Sequence, residues 1–360
     1  MFLSTQNLQA ATYEVNRNDA SKNQKDDSII VKSINKEDLT KIKQQVNNTP
    51  KNRKEIYSNH LQKLGYTKRE IESFKEDDLN TIFENSESIS TEEKYVVITE
   101  DNEEILMEKD ICLEHAKKAD EYQKLELYTN SKNEQFKNAI LDNNIINKSL
   151  LARATNDSKN YDTQKYMKIT TMSIYFRPGT KGQKGWYQFY GMFTWLSAPK
   201  DRLTDAISLY ADNFAWSQKN SDYVSTLRYK GNEVSSSGIK TTEYSSKKTT
   251  SKKVQTDGLY YTWALPKDGI FDVYAGTHYY CSDIILTIKG KARVSQYTLP
   301  CTFNLFTKYA HLQSYLVVKP SFSWSIGKLP GVTFTGGKGV KEQQFCSYNT
   351  TNYSPYVNII

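Results

Sequence analysis

Apolar residues recur every three or four positions in the first part of this chain, and at every second position in short runs from Tyr166 onward. The later runs are Met167–Phe176, Trp186–Leu196, Ala206–Ala211, Tyr223–Tyr229, Leu259–Leu265, Gly269–Ala275, His278–Ile288, Arg293–Leu299, Thr302–Phe306, Leu312–Ile326 and Gln343–Tyr348. Gly and Pro clusters punctuate them, as in Arg177-Pro178-Gly179, Pro266-Lys267-Asp268-Gly269 and Gly331–Gly339. About ten short strands, without a helical pattern long enough for crossovers, predict an antiparallel β-sandwich, jelly-roll-like, or a barrel over residues 166–360.

The earlier part predicts helices. Asn35 caps a helix that carries Leu39, Ile42 and Val46, and Pro50 ends it. Gly65 closes a second helix with Ile56, Leu61 and Leu64. Thr67-Lys68-Arg69-Glu70 then fits a capping box, with Tyr66 and Ile71 placed as a hydrophobic staple. The result is a helical hairpin over 54–86, similar in shape to a ubiquitin-associated-type turn; a DNA-binding helix pair or a precursor segment has the same outline, and local capping alone explains the pattern. Tyr95–Thr99 predicts a short strand, and residues 103–128 and 134–152 predict two more helices. The expected organisation is α+β in two parts: a mobile tail at 1–34, a helical region at 35–153, a polar linker at 154–165, and the β domain at 166–360.

Composition sharpens that boundary. All five tryptophans, fifteen of the sixteen glycines and seven of the eight prolines follow residue 165. Charge divides there too: residues 1–165 hold 25 Lys/Arg against 30 Asp/Glu, and residues 166–360 hold 23 against 11. A basic β domain beside an acidic region points to an anionic partner such as acidic lipid, cell-wall polymer or glycan. Attraction between the two parts, with the N-terminal region packed on the β domain as a propeptide or inhibitor, accounts for the same asymmetry. Nucleic acid is disfavoured, because the lysines are scattered singly and no basic helix is present.

Candidate chemistry is sparse. Cys112, Cys281, Cys301 and Cys346 lack CxxC spacing. A turn at Gly290 would set Cys281 opposite Cys301 at disulfide distance and leave Cys112 to pair with Cys346; four buried thiols are the alternative. Cys112, Glu114 and His115 point in different directions from one helix, so neither a metal nor another cofactor is expected there. A Ser/His/Asp hydrolase site can be drawn with His278 and Asp272 or Asp283, or around His311, but these residues fall on both faces of a meander. Gly336-Gly337-Lys338-Gly339 lacks P-loop spacing. The Ser/Thr-rich stretch 235–256 raises a β-pore-forming toxin that uses 230–262, yet only Ile239, Tyr244 and Val254 are available to face lipid, so a solvated loop or exposed hairpin is expected.

Aromatic pairs give the binding candidates. Trp186-Tyr187, Tyr260-Tyr261 and Tyr279-Tyr280 each direct one ring away from the core if they lie on strands, which suits stacking on sugars or anchoring at a membrane interface. Packing within the sheet is the competing role.

The string Phe193-Thr194-Trp195-Leu196-Ser197-Ala198-Pro199-Lys200-Asp201-Arg202-Leu203-Thr204-Asp205 resembles a WL-x-x-P-x-x-R-x-x-D stretch of uncharacterised exported β-rich proteins of Gram-positive bacteria. Their N-terminal part often holds a segment like Leu64–Ile71. The resemblance implies export and a β-rich body and supplies no active site. Arg202 and Asp205 are expected to form a structural pair. Leu8-Gln9-Ala10 followed by Ala11 matches the end of a signal sequence, so secretion or display at the cell surface is expected. No run is long and apolar enough for a membrane-spanning helix. The function expected is therefore an exported binding or effector module at an anionic surface, with the pore former and the secreted hydrolase as alternatives.

Overall fold

The computed structural model describes residues 29–98, 104–130, 134, 137–138, 141, 165–176, 185–197, 204–211, 214–217, 219–235, 238–249, 258–266, 269–272, 277–294, 305–312, 319–323, 331–335 and 342–347. In chain order the elements are β1 (Ile29–Ile34), α1 (Lys36–Asn48), α2 (Arg53–Lys63), α3 (Lys68–Ile71), α4 (Glu76–Glu84), β2 (Ser86–Ile98), β3 (Glu104–Leu106), α5 (Lys109–Asn130), β4 (Lys165–Phe176), β5 (Trp186–Trp195), β6 (Thr204–Ala211), β7 (Phe214–Trp216), β8 (Val224–Ser235), β9 (Gly238–Lys248), β10 (Gly258–Ala264), β11 (Gly269–Asp272), β12 (Thr277–Val294), β13 (Leu305–Leu312), β14 (Lys319–Ser323), β15 (Gly331–Thr335) and β16 (Glu342–Ser347).

The helical hairpin follows its capping signals. Asn35 accepts from the Asp38 amide at 2.9 Å, and Leu39, Ile42 and Val46 turn inward. Thr67 and Glu70 close the capping box, with the Glu70 carboxylate accepting from the Thr67 amide at 2.8 Å. Tyr66 and Ile71 are both buried.

The fold is mixed, with helices beside a large antiparallel sheet. That sheet has ten strands, and its main path runs β1-β2-β4-β5-β12-β8-β9. A second sheet, β10-β6-β13-β16, has four strands. Alternation along β4 assigns the two faces: Met167 and Ile169 share a buried cluster with Ile207 and Leu209 of β6, Leu259 of β10 and Tyr309 of β13. Met172 and Ile174 point the other way, to Leu39, Leu61, Ile82 and Phe83 of the helical hairpin. α5 covers the end of that same face through Cys112, Ala116 and Ala119 against Tyr95, Val97 and Tyr166.

The sheet crosses the expected boundary. β2 spans thirteen residues rather than the five expected, and it pairs with β4 from Ser86 to Ile98, so the region 35–153 supplies strands as well as helices. A segment hydrogen-bonded along the whole of β4 is not a separate cover for the β domain, because its removal would strip that ladder. The linker residues 154–164 and most of the helix expected at 134–152 lie outside the described residues.

Three charged side chains lock the helices to the sheet. Lys168, on the helix-facing side of β4, lies 2.7 Å from Glu70 and 3.2 Å from Glu93 and donates to the Gly65 carbonyl at 2.7 Å. All three side chains are at most 1% exposed. Thr194 of β5 donates to the second Glu70 oxygen at 2.7 Å, and Lys109 pairs with Glu93 at 3.2 Å. Burial alone would raise the Glu93 carboxyl, but Lys168 and Lys109 outweigh it and hold it below its ordinary value. Gly65 has φ +104°, and a Cβ there would sit 2.5 Å from a Glu93 oxygen, so glycine serves both the left-handed backbone and the close approach.

One expected turn is absent. β12 runs unbroken from Thr277 to Val294, so no hairpin forms at Gly290. A Cβ at that position would lie 2.5 Å from Leu259 and from Trp216, and the glycine therefore makes room for a ring on a flat strand. Replacing Gly290 with Ala must displace Trp216 or Leu259, and is expected to reduce unfolding free energy by about 1–3 kcal/mol in urea titration. Wild-type stability in the variant would show that the site can relax at no cost.

Candidate functional site

Several basic residues after residue 165 are paired inside the molecule. Lys168 is held by Glu70 and Glu93, and Lys289 of β12 pairs with Asp78 of α4 at 2.6 Å. Arg228 and Lys230 of β8 meet Glu243 and Asp283, which also receive Arg69 of α3 at 3.0 Å and 3.4 Å. Lys168 and Lys289 thus reach carboxylates of the first part of the chain, whereas Glu243 and Asp283 belong to the later part.

Lys291 and Arg293 are different. Both lie on the helix-facing side of β12, past the pair that Lys289 makes, and no carboxylate pairs with either among the described residues. The Arg293 guanidinium stands 4.1 Å from the centroid of the Trp186 ring, and the Lys291 ammonium 5.3 Å from the same ring and 6.0 Å from Phe176. Register explains the gathering: Arg293 is directly opposite Trp186, and Trp186 is directly opposite Phe176. All four side chains are half-buried. The Arg293 Nε is buried with no hydrogen-bond partner.

The chemistry of this patch is that of an oxyanion receptor. A guanidinium resting on an aromatic face is fixed in orientation while its fork of N–H groups remains able to bind phosphate, sulfate or carboxylate. Trp186 thereby presents a cation, in place of the open stacking surface expected of it.

The other expected residues are dispersed. Tyr187 and Tyr261 are buried between the two sheets, where Tyr187 stacks on Phe189 and meets Phe214 edge-on, so both are core residues and unavailable to an external ligand. Their alternation partners are half-buried: Trp186 on β5 and Tyr260 on β10 of the second sheet. Tyr279 and Tyr280 are also half-buried, and Tyr279 lies against Tyr244 of β9. No single surface collects these rings.

Asp205 is buried and accepts from the Tyr309 hydroxyl; Arg202 lies outside the described residues. Asp283, drawn into a possible hydrolase site, is taken up by Arg69 and Lys230. The side chains of Asp272, His278 and His311 lie outside the described residues, as do Gly336–Gly339. Among the described residues no group of three His, Cys, Asp or Glu side chains is placed to hold a metal. No helix among them is long and apolar enough to cross a membrane.

The cysteine pairing loses its geometric ground. With no turn at Gly290, Cys281 sits opposite Gly231 of β8, buried as a thiol, and Cys301 lies outside the described residues. Cys112 is a free buried thiol 3.9 Å from the Val96 carbonyl oxygen; Cys346 is on β16, opposite Lys308 of β13.

No family model matches the chain, and no curated protein matches it. Among solved structures, a pore-forming protein is similar over 52% of this chain and 93% of its own, with 9% identity and a TM-score of 0.24. A likeness at that score carries no argument about this chain.

Burial pushes the Cys112 thiol up to about 12. In native protein near neutral pH, iodoacetamide should therefore leave Cys112 unmodified, and denaturant should expose it to full reaction. Modification of Cys112 before unfolding, seen by peptide mass mapping, would contradict the packing of α5 on β2.

Proposed function

We propose that this protein is an exported binding or effector module that engages an anionic surface, be it acidic lipid, cell-wall polymer or glycan. Its architecture is taken as a sandwich of the two antiparallel sheets. The observation that carries the reading is the pair Lys291 and Arg293, which no carboxylate among the described residues meets, while Trp186 lies 4.1 Å from the guanidinium. A site that spends an aromatic ring on orienting a cation is suited to a repeated oxyanion such as a phosphate or carboxylate. Trp186 supports export-type surface recognition in a second way, since it brings amphipathic bulk to the same end of the sheet. Enzymatic activity is not part of the reading.

The pore-forming alternative draws on β8 and β9, paired strands of 12 and 11 residues of which β9 is exposed and β8 partly buried. That length is enough to cross a bilayer as a tilted pair, for which about 9–11 residues suffice. Side-chain alternation argues against it. One face of β9 carries Ile239, Thr241, Glu243, Ser245 and Lys247 and the other Lys240, Thr242, Tyr244, Ser246 and Lys248, so neither offers a lipid wall. The segment 230–262 also includes β10, which belongs to the second sheet.

Co-sedimentation with dye-loaded vesicles tests both readings. Binding to vesicles containing phosphatidylserine, absent with phosphatidylcholine alone, should weaken with salt and fall about tenfold or more in Lys291→Gln/Arg293→Gln. If a teichoic or glycan polyanion is the surface, the same variant loses retention on that polymer instead. Retention that ignores both salt and the double substitution overturns the binding proposal, and dye release would favour the pore.

A further inference from the structure

We propose that copies of this chain join head to tail through the two opposite edges of the ten-stranded sheet. The inference is independent of the anion-binding patch.

Among the described residues the sheet ends in β1 and β3 on one side, where β16 approaches β3, and in β9 on the other. At one end β2 carries β1 and β3 along its outer side, with β1 opposite Ile89–Lys94 and β3 opposite Val96–Ile98, so together they form one composite edge. At the other end β9 pairs with β8 over eleven positions without a register shift, and no strand pairs with its far side among the described residues. Edge strands hold unpaired N–H and C=O groups that template a further strand.

Exposed apolar side chains concentrate at these two ends. Among the described residues, the exposed large hydrophobics are Val31 of β1, Ile105 and Leu106 of β3, Ile111 and Leu113 at the start of α5, and Ile239 and Tyr244 of β9. Every one lies on an edge strand or on the helix turn beside β3. The centre of the sheet, covered by helices on one face and the second sheet on the other, contributes none.

Charge at the two ends is complementary. β9 carries Lys240, Lys247 and Lys248, and its one acid, Glu243, is already neutralised by Arg69 and Arg228. At the other end β1 carries one lysine, Lys32, while Glu104 belongs to β3 and Glu108 and Asp110 are exposed at the start of α5, where Lys109 is engaged by Glu93. Pairing β9 with a second β9 across a two-fold axis sets lysines near lysines, and like charges opposite one another are unfavourable. Pairing β9 with β1/β3 of the next copy sets lysines near carboxylates and brings the exposed apolar residues together.

Topology fixes the geometry of the join. The path from β1 to β9 has seven strands and six antiparallel steps, so β1 and β9 run in the same direction. A join that preserves strand direction is therefore parallel, and it uses different surfaces on the two molecules. Such a heterologous contact closes into a ring or continues as a filament; it does not stop at a dimer.

Sedimentation velocity of the full chain, from micromolar to near-millimolar concentration, tests the proposal. Species larger than a dimer should accumulate with concentration and recede at high salt. Lys240→Glu/Lys247→Glu, which disables one edge, and Ile105→Lys/Leu106→Lys, which disables the other, should each remain monomeric with unchanged circular dichroism. Mixed in equal amounts they should form a one-to-one heterodimer, because each retains the edge the other lacks; that recovery also shows both are folded. A wild-type protein that stays monomeric throughout, a dimer untouched by either pair of substitutions, or a mixture that fails to combine would overturn the proposal.

Discussion

The structure turns on a lysine that has no access to water. Lys168 sits between Glu70 and Glu93 and also donates to the Gly65 carbonyl, so it touches the helix cap, the turn before it and the neighbouring strand at once. Removing one member of such a buried group leaves an uncompensated charge, which costs about 3–5 kcal/mol. That penalty makes the capping box more than a local device. Glu70 must reach back to Thr67 to start α3, and in the same pose it meets Lys168 and Thr194. Local helix geometry and the docking of helices on the sheet are thus specified by one carboxylate.

The parts of this fold legible in the sequence are those with a local cause. Asn35, Gly65, Thr67 and Glu70 mark helix ends through bonds that span three or four residues, and each does so in the structure. Strands β4, β5, β6 and β10 show as short runs rich in apolar, aromatic and β-branched residues because most of their positions are buried. β2 was hidden for the opposite reason. Its Glu92, Glu93 and Lys94 look like a solvated run, yet all three are buried, with Glu93 paired to Lys168 and Glu92 to Lys94. Glu92 and Lys94 neutralise each other within β2, whereas the partner of Glu93 on β4 is more than seventy positions away. Gly290 misled in the same manner: a glycine in a strand signals either a turn or a crowded neighbour, and only the position of Trp216 distinguishes them.

For the candidate site, the sequence pointed to Trp186 and to a basic C-terminal half without naming which cations remain available. Asp78, Glu70, Glu93, Glu243 and Asp283 settle part of that by pairing with particular basic residues, and each of the five makes a pair that joins the first part of the chain to the later strands. Lys291 and Arg293 become conspicuous after this subtraction, as do the lysines of β9. Two of the three expected aromatic pairs were also a mixture, while Tyr279 and Tyr280 are both half-buried. Tyr187 and Tyr261 entered the core while Trp186 and Tyr260 did not, which is the alternation of a strand and reveals nothing about which outward ring meets a ligand.

One sheet that borrows strands from both parts of the chain, clamped by a buried lysine, should behave as one cooperative unit. Native-state hydrogen exchange of the α2–α3 amides in wild type and Lys168→Met tests this most directly. Protection over Tyr66–Phe74 and over β4 should fall together, by about a hundredfold or more, as expected from stranding two carboxylates in the interior. Unchanged protection in both segments, or loss in the helices while β4 keeps wild-type protection, would contradict the account.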